Sequence, residues 1–170
     1  MSSIITYQGK SPRVHDSVFV AEGARIIGDV EIEEASSVWF NAVIRGDVHY
    51  IRVGKRTNIQ DNCVLHVTQQ KYPCIIGSDV TIGHNAIVHA CTVGDFCLIG
   101  MGSIILDNAK IGELSLVAAG SLVLENFEVP KGMLAAGVPA RLKRPLSAKE
   151  KKWLKQSALN YTEYAAAYRS

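Results

Sequence analysis

The sequence has little of what marks several protein classes. Lys and Arg total 18 against 16 Asp and Glu, for a formal net charge of +2. That balance is too mild for a nucleic-acid surface, which needs a concentrated field of one sign. No apolar run approaches the ~20 residues a membrane-spanning helix requires, so no membrane partner is expected either. The stretch from Met1 to Lys10 has no apolar core behind a basic start. No secretory leader is read there, and a cytoplasmic location is expected. Four cysteines occur, Cys63, Cys74, Cys91 and Cys97, with no CxxC pair among them. This spacing argues against a structural zinc knuckle. What is left is an ordinary balance, 48% hydrophobic and 20% charged over 170 residues, which suits one domain with a sizeable core.

What the chain does have is a beat of six. Isoleucine or valine falls at Ile76 and Ile82, then at Val93, Ile99, Ile105, Ile111, Val117 and Val123. Four residues after most of these comes a small or β-branched side chain: Val80, Ala86, Cys97, Ser103, Ala109, Ser115, Ser121. The beat starts early, at Val20, Ile26, Ile32, Val38 and Ile44, and resumes at Val53, Ile59 and Leu65. A period of six is too long for helix stripes and too regular for ordinary sandwich strands. It marks a hexapeptide solenoid, in which three units close a triangular coil of ~18 residues and coils stack at ~4.8 Å. The expected fold is an all-β solenoid, a left-handed parallel β-helix of hexapeptide repeats over residues 1–146. The aliphatic points inward and the small residue fits the bend, so Cys63 and Cys97 read as buried, reduced thiols.

The repeats are expected to end after Leu124, with Val129-Pro130 and Gly137-Val138-Pro139-Ala140 as a turn-rich exit. Ser147 and Glu150 then read as a capping box opening a C-terminal α-helix over residues 147–170. Its apolar face, with Trp153, Ala158, Tyr161, Ala165 and Tyr168, should pack along the solenoid or against a neighbouring subunit. Basic residues from Arg141 to Lys155 crowd its start and read as a solvated face, with an anion or membrane-surface site as the alternative.

Three irregularities break the ladder, all between residues 45 and 93. The step from Ile44 to Val53 is nine residues, so three extra residues bulge near His49 and Tyr50. A polar surface loop runs from about 67 to 74, and the step from Val88 to Val93 is one residue short. Defects gathered on an otherwise regular ladder mark a candidate site. Four of the five histidines lie in this zone, and three of them, His66, His84 and His89, are the candidate ligands. His66 follows Leu65 and His89 follows Val88, and these inward residues are twenty-three apart. That is one coil plus the loop, so the two imidazoles should stack on one face at ~5 Å, close enough to share a metal. His84 lies two residues past Ile82 and belongs to a different edge. It can reach the same metal only from a neighbour in a threefold ring. His15 and His49 read as surface residues.

Taken together, Arg45-Gly46-Asp47, Asn58-Ile59-Gln60-Asp61, His66 and the segment from Gly83-His84 to His89 resemble the gamma-class carbonic anhydrases and their bacterial homologues. The likeness covers nearly the whole chain. It implies a homotrimer with metal sites between subunits, holding zinc, with iron or cobalt as alternatives. His66 and His89 would come from one subunit and His84 from the next. It also implies that Gln60 hydrogen-bonds the metal's water, that Asn58 orients substrate, and that Arg45 and Asp61 pair across the subunit boundary beside Asp47. Tyr161 matches a tyrosine that walls the site, although core packing explains it equally well. The activity implied is reversible hydration of carbon dioxide to bicarbonate. The sequence departs from the pattern where the best-studied members carry two proton-transferring glutamates, since Val48 and Gln69 stand at those positions. Weak activity is therefore expected. Hexapeptide acyl transfer and a non-catalytic metal-binding or scaffold role remain as alternatives.

Overall fold

The computed structural model describes residues 3–169. Over most of this length the chain winds as a left-handed parallel β-helix of about seven coils, closed by a C-terminal helix. Three columns of inward aliphatics run its length. One goes Val20, Val38, Ile59, Ile82, Ile99, Val117, Ala135, each paired with the next in parallel register. A second runs from Ile26 through Ile44, Leu65, Val88 and Ile105 to Val123. The third runs from Val14 through Ile32, Val53, Ile76, Val93 and Ile111 to Val129. From Ile26 onward every member is at most 2% exposed. Each buried Val, Leu or Ile adds roughly 1.5–3 kcal/mol of transfer free energy. The bends are sharp and often left-handed, and Asn41, Asn62, Asn85, Asn108 and Asn126 take them at φ between 55° and 59°. Asparagine tolerates that region because its short amide bonds locally.

The solenoid runs further than the pattern predicts. Val129 and Ala135 continue two of the columns beyond Leu124, paired with Ile111 and Val117. Val129 keeps the six-residue spacing, and Pro130 follows it without breaking the coil because Pro follows the inward residue rather than occupying it. Met133–Gly137 then turns back on Ala140–Pro145, the antiparallel strand that ends this face. All four cysteines are buried and free. Burial pushes the Cys63 and Cys97 thiols up to about 12.

The helix spans Ala148–Arg169. Its capping box is formed: the Ser147 hydroxyl accepts from the Glu150 amide at 3.2 Å, and the Glu150 carboxylate accepts from the Ser147 amide at 2.8 Å. The buried face is Leu154, Ala158 and Ala165. Trp153 is not part of it and is 53% exposed. The stripe 154, 158, 161, 165 follows the 3.6-residue period, and residue 153 lies about 100° away from it. Tyr168 packs edge-on against Trp39 and Phe40 and at a tilt against Phe19, and fastens the last turn to the first coils. Among the described residues, no helix is long and apolar enough to cross a membrane.

Candidate metal centre

The strands Arg25–Ile32 and Val43–Val53 pair from Arg25↔Val43 to Gly28↔Gly46, then resume at Val30↔Ile51. Asp29 alone faces the four residues Asp47 to Tyr50, so three residues bulge outward as the spacing predicts. Gly46 opens the bulge, where a Cβ would lie 2.6 Å from the Asp29 carbonyl oxygen. The second insertion closes on itself through an antiparallel bridge between Thr68 and Tyr72. The two excursions are joined, since the Gln70 amide donates to the Val48 carbonyl at 3.3 Å.

Below them, His66 and His89 are direct neighbours on stacked strands, along with Leu65↔Val88. The His66 Nδ1 and His89 Nε2 atoms face each other at 3.1 Å. Two ligands on one tetrahedral zinc, at ~2.0–2.1 Å each, lie about 3.3 Å apart. The outer nitrogen of each ring is held by a carboxylate. Asp47 meets His66 Nε2 at 3.1 Å, and Asp107 meets His89 Nδ1 at 2.6 Å. Asp47 is gripped from behind by the Arg45 guanidinium, and Asp107 accepts the Thr68 hydroxyl. Burial works against ionisation of both acids, but these hydrogen bonds outweigh it and hold both carboxyls below the ordinary value. Burial also holds the His66 imidazole below its ordinary pKa, against the pull of Asp47. Such a ring is neutral near pH 7 and keeps a lone pair for a cation.

His84 lies elsewhere, on the turn after Thr81–Ile82, which belongs to a different face. Its Nδ1 sits 2.6 Å from Asp61, whose other oxygen accepts the Phe40 amide at 3.2 Å. Each of the three histidines therefore carries a carboxylate on one nitrogen, the arrangement that orients imidazole ligands. Among the described residues, no three His, Cys, Asp or Glu side chains of one chain gather to hold an ion. Arg45 and Asp61, expected to pair across a boundary, are engaged within the chain by Asp47 and His84 respectively.

Gln60 and Asn58 are buried and form a polar row. The Gln60 side chain accepts the His84 amide at 3.1 Å and donates to Asn58 at 3.0 Å. Asn58 donates to the Thr81 hydroxyl at 3.0 Å, which meets Ser157 of the helix at 3.2 Å. Tyr161 shares a cleft of about 380 Å3 with Gln60, His84 and Trp153, and packs edge-on against Trp39. Burial raises its phenol pKa. The Tyr50 amide donates to His49 Nδ1, and exposed His15 bonds Ser17. Val48 packs against the core, and Gln69 is exposed. Sequence reasoning did not single out Asp107 or Thr68. Asp107 follows His89 by eighteen residues, one full coil, and that interval is the signal that would have found it.

Comparison with known proteins agrees with this fold. Residues 90–125 match the family pattern "Bacterial transferase hexapeptide (six repeats)". The chain is 47% identical over 167 residues to a carbonic anhydrase of Geobacillus kaustophilus, covering 98% of this chain and 91% of that protein. It is 45% identical over 164 residues to the mitochondrial gamma carbonic anhydrase 1 of Arabidopsis thaliana, covering 94% of this chain and 60% of the plant protein. The chain thus spans about three-fifths of that plant relative's length. A crystal structure of a hexapeptide transferase family protein from Anaplasma phagocytophilum superposes with a TM-score of 0.93 at 45% identity, covering 97% of each chain. With a bacterial carbonic anhydrase matched along nine-tenths of its length and the hexapeptide coil formed along most of the chain, the chain belongs to the gamma-class carbonic anhydrase family of hexapeptide-repeat proteins.

Proposed function

We propose that the chain is a metal-dependent carbonic anhydrase of the gamma class, hydrating carbon dioxide to bicarbonate as a cytoplasmic homotrimer. The observation that carries this reading is the facing pair His66 and His89, 3.1 Å apart, each with its outer nitrogen on a carboxylate. The donor set fits a borderline transition cation: zinc first, then iron or cobalt. His66 Nδ1 and His89 Nε2 would hold it from one subunit, and His84 Nε2 from the next. A cation in such a site supplies Lewis-acid chemistry that makes water nucleophilic near neutral pH.

This chain's own residues supply placement. Asp47 and Asp107 keep the two rings turned inward, and Asp61 does the same for His84. Gln60 pins the backbone of the His84 turn, with Asn58 holding Gln60, and Tyr161 walls the cleft beside them. Arg45 keeps Asp47 ionised and aimed. The protons released on hydration must leave through a titrating group or through buffer. Val48 and the Gln69 amide offer no such group, so turnover is slow and buffer-assisted.

Zinc content per chain, stopped-flow carbon dioxide hydration and an acetyl-CoA transfer assay test the reading together. One zinc per chain with slow hydration that rises with imidazole-type buffers is the expected result. Transfer from acetyl-CoA without hydration would overturn it in favour of acyl transfer. Filled sites with neither activity would leave a metal-binding scaffold.

A further inference from the structure

The geometry points to Asp107 as a positioning residue that fixes the tautomer of His89 and ties the 67–74 loop to the metal ligands. The inference rests on the metal-centre reading for its role, but its structural content stands on this chain alone. One Asp107 oxygen sits 2.6 Å from His89 Nδ1, and the other accepts the hydroxyl of Thr68. Thr68 is the residue whose bridge to Tyr72 closes the loop. A single carboxylate therefore ties Thr68, thirty-nine residues before it in sequence, to His89, eighteen residues before it.

The tautomer follows from donor bookkeeping. An ionised carboxylate only accepts, so the hydrogen on a neutral His89 ring sits on Nδ1 and Nε2 keeps the lone pair. Nε2 is the atom that faces His66. Among the described residues Asp107 is the partner of His89 Nδ1; without it the proton is no longer held there, and free imidazole side chains place it mainly on Nε2, where it blocks ligation. The same loss releases Thr68, and with it the mouth of the loop. Asp107 acts through His89.

The test uses the full chain, first stripped of metal and then titrated with zinc alone. Imidazole nitrogen chemical shifts report the tautomer, with the His89 signals identified by their loss in His89→Gln. Nδ1–H is expected in the wild type, a shift to Nε2–H in Asp107→Ala, and retention of Nδ1–H in Asp107→Asn, whose amide oxygen still accepts. Zinc affinity by chelator competition should fall roughly 10–100-fold in Asp107→Ala and recover most of that in Asp107→Asn. Thr68→Val should leave the tautomer and most of the affinity intact while speeding tryptic cleavage at Lys71. Should the wild type bind no zinc, the carbonic anhydrase reading fails, and the tautomer still decides the role of Asp107. A His89 tautomer that is the same in the wild type and Asp107→Ala, with both folded by circular dichroism, overturns the inference.

Discussion

If His66 and His89 serve one subunit's site and His84 the next, two dead variants should repair each other. Consider His84→Ala, which keeps the facing pair, and the double variant His66→Ala with His89→Ala, which keeps only His84. Alone, each trimer lacks a ligand at every boundary and should hold no tightly bound zinc. Unfolding them together in equal amounts and refolding yields mixed rings. A complete site then needs a pair-bearing subunit followed, in one direction round the ring, by a His84-bearing one. With random assembly that order occurs at about one boundary in four, so the mixture should regain about a quarter of wild-type zinc. The arithmetic depends only on where the ligands lie: two on one face and the third on another edge. Zinc is counted by elemental analysis on the gel-filtered trimer, and hydration activity should return in the same proportion. A mixture that stays empty while the separate wild-type chains refold and load would refute the division of ligands between subunits.

Restoring acids as Val48→Glu with Gln69→Glu should raise hydration several-fold at low buffer and little at high buffer, as read by stopped flow across imidazole concentrations. Gly46→Ala should destabilise the chain by about 1–3 kcal/mol in urea, because its methyl would meet the Asp29 carbonyl at 2.6 Å; an unchanged midpoint would mean that the bulge adapts freely. The Asp29 carboxyl is partly buried, which opposes ionisation, but Lys10 and Arg52 hold its pKa below the ordinary value. A depressed acid stabilises the fold above its unfolded pKa and loses that contribution as pH falls through the folded one, so the wild type should lose stability more steeply than Asp29→Asn as the pH falls below the ordinary carboxylate range.

How far the chain could be read beforehand depended on what repeats. The columns of buried aliphatics follow directly from the beat, because an inward position every six residues leaves no choice of face. The twenty-three-residue interval between Leu65 and Val88 put His66 beside His89 for the same reason. What did not repeat stayed hidden. Asp107 has no periodic signature, since a polar residue at a bend is ordinary in this fold; only its one-coil distance from His89 distinguishes it. Val129 and Ala135 were obscured by the prolines and glycines around them, which read as an ending although the inward positions continued. Trp153 drew attention by its size, yet Leu154 has the right phase to be buried. The in-chain partners of Arg45 and Asp61 could not be read from spacing at all, because they depend on how the bulge aims Asp47 and how the turn aims His84.

The register that pairs Leu65 with Val88 also bears on how the protein comes to exist. In a stacked coil each rung contacts only its neighbours, so structure can nucleate locally and spread along the axis. His66 and His89 need only two successive rungs to meet, a loop closure whose entropic cost grows slowly with length. If the proposed trimer holds the metal, two of the three ligands are thus laid down early, by short-range contacts, while the third histidine waits on an encounter between finished molecules. At low protein concentration that encounter becomes the slow, second-order step. The time to gain activity after refolding should then depend on dilution, although the time to gain β-structure should not.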